Sequence, residues 1–119
     1  MPMIADSYRK KMDQELEIAR QSRRMGLEGR ARVCARRAAG AAIRGFFLAH
    51  HLALLNQNVY ELLKYCSTLE FLPPRAQESA RNLSLRVDEH FHLPPGVDLL
   101  EETEKLIQVL ESVPMEETP

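Results

Sequence analysis

The sequence predicts an all-α protein, an up-and-down bundle of four to five helices that forms a single domain over residues 1–119. Apolar residues recur at spacings of three and four along most of the chain, and no stretch alternates with period two for long. Glycines and prolines fall mainly between these periodic stretches. With 119 residues, of which 45% are hydrophobic, the chain is long enough to bury a core.

A first helix is predicted over residues 3–25, with Asp6 or Ser7 as its N-cap. Its apolar positions are Tyr8, Met12, Leu16 and Ala19. Gly26 is suited to a left-handed C-cap, because glycine adopts positive φ without steric cost. The helix is therefore expected to end at that turn.

A second helix is predicted from residues 27–30 to about residue 50. Its apolar stripe comprises Ala35, Ala38, Ala39, Ala42, Ile43, Phe46 and Ala49. Gly40 and Gly45 lie inside it, where each costs about 1 kcal/mol relative to alanine. We expect another part of the backbone to approach closely there, or the helix to bend. Arg44 interrupts the apolar stretch, so a membrane span is not predicted.

Three shorter helices follow. The third is predicted over residues 58–70 and the fourth from Pro74 to about His90, with Pro74 as its first helical residue. Asp98 is expected to cap a fifth helix that continues to about residue 112. Residues 113–119 are expected to form a frayed acidic tail.

The second helix carries a strongly cationic face. Eight arginines and one acid, Glu28, lie between Arg20 and Arg44. Arg30, Arg37 and Arg44 are seven residues apart, so on a helix they lie along one side. These three arginines are the predicted nucleic-acid-binding residues, because a row of guanidinium groups attracts a phosphate backbone without regard to base sequence.

The charge is divided unevenly along the chain. Residues 1–45 contain 11 basic and 5 acidic residues, whereas residues 46–119 contain 5 basic and 12 acidic residues. One interpretation is that the basic half binds nucleic acid, a nucleotide or an acidic protein partner. The other is that the two halves neutralise each other, within one chain or across a dimer, with residues 30, 37 and 44 pairing with carboxylates of residues 98–111.

Conventional catalytic and metal-binding motifs are missing from the sequence. There is no phosphate-binding glycine loop and no nucleophile turn. His50 and His51 are adjacent and diverge on a helix, and no carboxylates complete a site around His90 and His92. We therefore expect no metal and no cofactor. The two cysteines lie far from any metal-binding pattern and are expected to be buried thiols, and with no signal peptide a cytoplasmic location is expected.

One pair of residues suggests chemistry. Arg86 and His92 are separated by five residues, and His90 is an alternative partner. An arginine that holds a phosphate beside a histidine that transfers protons near neutral pH would form a simple catalytic pair. The alternative is a surface arginine that pairs with neighbouring acids while the histidines cap the end of a helix.

The chain resembles the HEPN superfamily (higher eukaryotes and prokaryotes nucleotide-binding domains). The resemblance rests on a first helix of the type YRKKMDQELEIAR, an alanine-rich second helix ARVCARRAAGAAIRGFF, the segment from Arg86 to His92, and a final helix LLEETEKLIQVL. Active members carry an arginine, often followed by a polar residue, and a histidine after four to six residues. Val87 departs from the polar preference.

The resemblance implies a helical homodimer that binds nucleotide or RNA, either as a weak metal-independent ribonuclease or as an inactive relative of one. In the ribonuclease case, His92 would act on the 2′-hydroxyl or the leaving oxygen, and Arg86 would stabilise the developing negative charge. Two alternatives remain open at this point. One is a non-catalytic interaction module whose basic helix pairs with an acidic partner or with the chain's own acidic half. The other is a bundle that binds a small ligand in an internal cavity.

Overall fold

The structure is a computed structural model that describes residues 3–53, 58–86 and 92–114. Five helices occupy these residues: α1 (Asp6–Arg24), α2 (Glu28–Ala49), α3 (Val59–Cys66), α4 (Pro74–Leu83) and α5 (Leu99–Ser112). The described part of the chain contains no strand, so the predicted all-α class is confirmed. Helix α2 packs against α1, α5 and α3, and α4 packs against α5 and α3.

Several helix ends follow local sequence signals. The side chain of Asn58 accepts a hydrogen bond from the Glu61 amide at the start of α3, and Asp98 accepts from the amides of Leu100 and Glu101 at the start of α5. Gly26 has a φ of +76°, as predicted for the turn after α1. The N-cap of α1 is Ala5, not Asp6 or Ser7, and no side chain caps this end of the helix. The Ala5 amide instead donates a hydrogen bond to the carbonyl of Gly45 on α2.

Several predicted segments differ in extent. Helix α1 begins at Asp6 rather than at residue 3, and α3 ends at Cys66 rather than at residue 70. Helix α4 ends at Leu83 rather than near His90, so Arg86 lies beyond the helix. The guanidinium of Arg36 donates hydrogen bonds to the carbonyls of Leu83 and Leu85, and these bonds satisfy backbone groups where the helix stops. Val113 is 3% exposed and belongs to the core, so this residue is not part of a frayed tail. Residues 115–119 of the predicted tail lie outside the described residues.

The core is built around the thin side of α2. Its fully buried members include Ala35, Ala38, Ala39, Ala42 and Phe46, all predicted from the apolar stripe. The buried surface of α2 is wider than the predicted stripe, because Ala41 and Phe47 are also buried. Small side chains allow α1 and α5 to lie close to α2 on two sides, which leaves one narrow face of α2 toward solvent.

Ion pairs between α1 and α5 neutralise part of the uneven charge of the two halves of the chain. Three arginines of α1 form ion pairs with carboxylates at or near α5: Arg9 with Glu111 at 2.9 Å, Arg20 with Glu104 at 3.3 Å, and Arg23 with Asp98 at 2.9 Å. The expectation that the two halves neutralise each other therefore holds for α1. The arginines that carry it are those of α1, whereas the sequence prediction assigned this role to residues 30, 37 and 44 of α2.

Candidate anion-binding groove

A groove of about 310 Å³ opens to solvent along the outward face of α2. Helix α1 forms one wall and the first turn of α3 forms the other. The lining residues are Tyr8, Lys11, Arg37, Ala41, Arg44 and Val59. Two of the three predicted nucleic-acid-binding residues, Arg37 and Arg44, thus line the same cavity.

Two glycines of α2 set the walls of this groove. A Cβ atom at Gly45 would lie 2.6 Å from Cγ2 of Ile4 and 3.0 Å from Cβ of Tyr8, so only glycine lets the start of α1 reach α2 there. A Cβ atom at Gly40 would lie 3.0 Å from Cγ2 of Val59, at the start of α3. The predicted close approach of another backbone segment is confirmed at Gly45, where the Ala5 nitrogen would lie 3.3 Å from the added Cβ atom, whereas the atoms nearest to Gly40 belong to side chains. These contacts place Tyr8 and Val59 on opposite sides of the groove.

The lining of the groove carries three positive charges. Lys11, Arg37 and Arg44 supply them, and none of the lining residues is a carboxylate. Arg37 is exposed and Arg44 is half-buried. Ala41 and Val59 provide apolar surface between the cations, and Tyr8 adds an aromatic ring. Cations around an apolar floor are suited to a ligand with both an anionic group and an apolar or aromatic part.

Arg30 lies outside this groove. It is exposed on the same side of α2, one heptad before Arg37, which is a separation of about 10.5 Å along the helix axis. Lys11 takes its place as the third cation. No local pattern in the sequence indicates this role, because Lys11 is one of several charges on the solvent side of α1 and reaches the groove only through the contact of α1 with Gly45.

A buried carboxylate lies behind Lys11. Oε1 of Glu15 is 3.3 Å from Nζ of Lys11, and Glu15 is 7% exposed. Its other oxygen, Oε2, is buried and has no hydrogen-bond partner among the described residues. Burial raises the pKa of the neighbouring Cys34 thiol, and the Glu15 carboxylate raises it further.

The second cysteine is also an unreactive thiol. Burial raises the pKa of Cys66 to about 12, so this side chain stays protonated at neutral pH. Both cysteines are free and buried, which confirms the prediction from their spacing. Neither is a candidate nucleophile.

Next to the groove, two arginines stack on one tyrosine. Cζ of Arg86 lies 3.8 Å from the ring centroid of Tyr60, and Cζ of Arg36 lies 5.0 Å from the same centroid. Burial lowers the pKa of Arg36; the charges of Arg32 and Arg86 lower it further, whereas Tyr60 raises it. The predicted residue Arg86 is therefore part of a cluster of guanidinium groups around Tyr60.

The structure describes only some of the residues in the predicted pairing of Arg86 with a histidine. Arg86 and His92 are both exposed. His90, the alternative partner, lies outside the described residues. The close pairing of Arg86 with either histidine stays a prediction.

Two further expectations concern metals and membranes. Across residues 3–53, 58–86 and 92–114, no group of three or more His, Cys, Asp or Glu side chains is arranged to hold a metal ion. In the same part of the chain, no helix combines the length and the apolar character that a membrane span requires.

Comparison with known proteins gives no relative of this chain. No protein-family model matches it, and neither a curated protein nor a solved structure is significantly similar to it. The groove and the arginine cluster are therefore interpreted from their own geometry.

Proposed function

We propose that this protein is a HEPN-like domain that binds nucleotide or RNA. The phosphate groups of the ligand lie in the groove along α2. The observation that carries the proposal is the lining itself: Lys11, Arg37 and Arg44 around an apolar floor, with no carboxylate among the lining residues. Arginine is well suited to this role, because its guanidinium donates two parallel hydrogen bonds to one phosphate.

The arginine cluster around Tyr60 supports the same function. Val59 of α3 lines the groove, and the next residue of that helix, Tyr60, holds Arg86 over its ring. Stacking on an aromatic ring fixes the guanidinium plane, which lowers the entropy lost when a phosphate or a base binds. A strand that leaves the groove over α3 would meet a second, pre-oriented cation.

The alternative functions account for less of the structure. Neutralisation by the acidic half explains Arg9, Arg20 and Arg23, which pair with carboxylates at α5, but these are not the residues that line the groove. A ligand-binding bundle would hold its ligand in an internal cavity, whereas the cavity of about 310 Å³ is open to solvent.

Binding is tested with matched charge-removal variants. We expect Arg37→Gln/Arg44→Gln to weaken binding of a fluorescent single-stranded 10-mer RNA and of adenosine 5′-monophosphate. The control, Arg20→Gln/Arg24→Gln, removes the same charge on α1 and should bind close to wild type. For RNA, losing two phosphate contacts should reduce the slope of log affinity against log salt by about 1.4. Equal losses in both variants would show general charge attraction and contradict a groove site.

Metal-independent RNA cleavage by a homodimer is the second candidate, favoured by the fixed position of Arg86 on Tyr60. Cleavage measured in EDTA should be lost in Arg86→Ala and in His92→Ala while the circular dichroism spectrum is kept. Sedimentation equilibrium gives the oligomeric state. Cleavage at the wild-type rate in both variants would rule out this pair of residues.

A further inference from the structure

The backbone that leads to Arg86 is fixed by a buried side chain of α2. Arg36 is 7% exposed, so its guanidinium lies almost entirely inside the protein. Its Nε donates a hydrogen bond of 3.0 Å to the carbonyl of Leu83, and its Nη2 donates to the carbonyl of Leu85. Hydrogen bonds from a charged donor are stronger than those from a neutral one. The residue directly before Arg86 is therefore held to the core of the bundle.

The side chain of Arg86 is fixed in turn by Tyr60. Its Cζ lies over the tyrosine ring, 3.8 Å from the centroid. Carbon atoms in van der Waals contact are separated by about 3.5–4.0 Å, so the guanidinium is in contact with the ring face. Arg86 is nevertheless exposed. Because Tyr60 covers one face of the guanidinium, the surface that remains accessible includes the opposite face.

A guanidinium group offers different surfaces to a phosphate and to a base. Its N–H donors point outward in its own plane, so phosphate oxygens bind along its edge. Its flat face stacks on planar groups, and unpaired RNA bases stack on arginine in this way. Contact with Tyr60 fixes the direction of the outer face of Arg86, so a base that stacks there orders little additional side chain. This arrangement favours a base on the outer face.

We infer that the outer face of Arg86 stacks a base of single-stranded RNA, so that Tyr60, Arg86 and the base form three layers. This inference rests on the proposed function and narrows its ligand to a single strand, because a base inside a duplex already has both faces covered by its neighbours. The groove along α2 attracts the phosphates, and Arg86 contacts a base. Arg36 is a positioning residue, which acts through the backbone before Arg86.

Two 10-mers of equal charge test the inference: oligoadenylate, and an abasic strand with the same number of phosphates. Wild type should bind the oligoadenylate about fivefold to a hundredfold more tightly, which is the usual effect of stacking one base. Arg86→Lys keeps the charge but removes the planar group, so its affinities for the two strands should be nearly equal. The matched control Arg81→Lys makes the same exchange at an exposed arginine of α4 and should keep the preference.

An NMR signal of the wild-type protein provides a second readout that does not depend on how a variant folds. The Nε–H signal of Arg86 should move upfield with oligoadenylate, because a stacked adenine shields it, and should stay in place with the abasic strand. Equal shifts with both strands would show a phosphate contact at the edge of the guanidinium and overturn the inference.

The affinities separate this inference from the proposed function. Equal binding of the two strands by wild type, with both lost in Arg37→Gln/Arg44→Gln, would overturn the inference and leave the proposed function intact. A preference for oligoadenylate that persists in Arg86→Lys would also overturn the inference, because the base would then stack elsewhere. Binding of neither strand would overturn both.

Discussion

The three glycines of α2 provide a graded test of how this helix is packed. A Cβ atom added at Gly29 would have no neighbouring atom within 4 Å. At Gly40 it would contact the ends of the Val59 and Arg44 side chains at 3.0 and 3.2 Å. At Gly45 it would lie 2.6 Å from Ile4. Alanine gains up to about 1 kcal/mol of helix propensity over glycine at each position. The three variants differ mainly in the space around the added methyl group, and Gly29 differs also in lying in the first turn of the helix.

The expected order of stability of the three variants follows from the room that each added methyl group has. Gly29→Ala should stabilise the protein by about 0.5 kcal/mol, since it lies in the first turn where propensity counts less. Gly40→Ala should change stability by less than about 1 kcal/mol, because side-chain ends can yield. Gly45→Ala should destabilise the protein by about 1–2 kcal/mol net, because overpacking costs about 1–3 kcal/mol. The Ala5 backbone nitrogen lies 3.3 Å from the Cβ position and cannot move away easily, because its hydrogen bond to Gly45 holds it.

Urea unfolding followed by circular dichroism at 222 nm measures all three changes under one set of conditions. For a domain of this size, a change of 1 kcal/mol corresponds to a shift of about 4 °C in Tm. A Gly45→Ala variant as stable as Gly29→Ala would refute the close contact of α1 with α2, and with it the position of Tyr8 in the wall of the groove.

Two further predictions concern buried ionisable groups. Lys11→Met should destabilise the protein by about 1–3 kcal/mol, because it leaves Glu15 buried without its ion pair. Glu15→Met should be neutral or stabilising by about 1 kcal/mol, because the remaining Lys11 is exposed. His50 is 4% exposed, and burial together with the charge of His51 lowers its pKa below the ordinary value of 6.5. Its neutral form is therefore favoured in the folded state, and its contribution to stability, complete above pH 6.5, should be lost progressively as the pH falls below that value.

Each of these has a direct check in urea unfolding. Lys11→Met and Glu15→Met with equal effects would contradict a buried carboxylate that depends on Lys11. For the histidine, His50→Leu should unfold with a weaker dependence on pH between 6.5 and 5 than wild type. An unchanged pH dependence in that variant would assign the effect to another group.

The sequence predicted features that depend on local patterns. The spacing of Met12, Leu16 and Ala19 identified the buried side of α1, and the alanines of α2 identified the thin face on which the core is built. Asp98 was identified as a cap because the capping interaction involves only the next three residues. Such features are encoded within one or two helical turns and need no knowledge of tertiary contacts.

Features that depend on contacts between distant segments were missed. At the end of α4, the carbonyl of Leu83 accepts a hydrogen bond from Arg36, which lies 47 residues earlier in the chain. Lys11 joins the groove only because Gly45 admits α1. Similarly, the periodicity of arginines placed residues 30, 37 and 44 on one face, but only the positions of α1 and α3 determine that Arg37 and Arg44 share a cavity and Arg30 does not.

Mapping the bound ligand by NMR tests the groove most directly. Adenosine 5′-monophosphate is titrated into ¹⁵N-labelled protein, and the shifts of the backbone amides are followed. The expected result is a saturable set of shifts at Tyr8, Lys11, Arg37, Ala41 and Arg44, with the exposed face of α5 unchanged. Shifts that are absent, or that gather away from α2, would contradict a phosphate site in this groove.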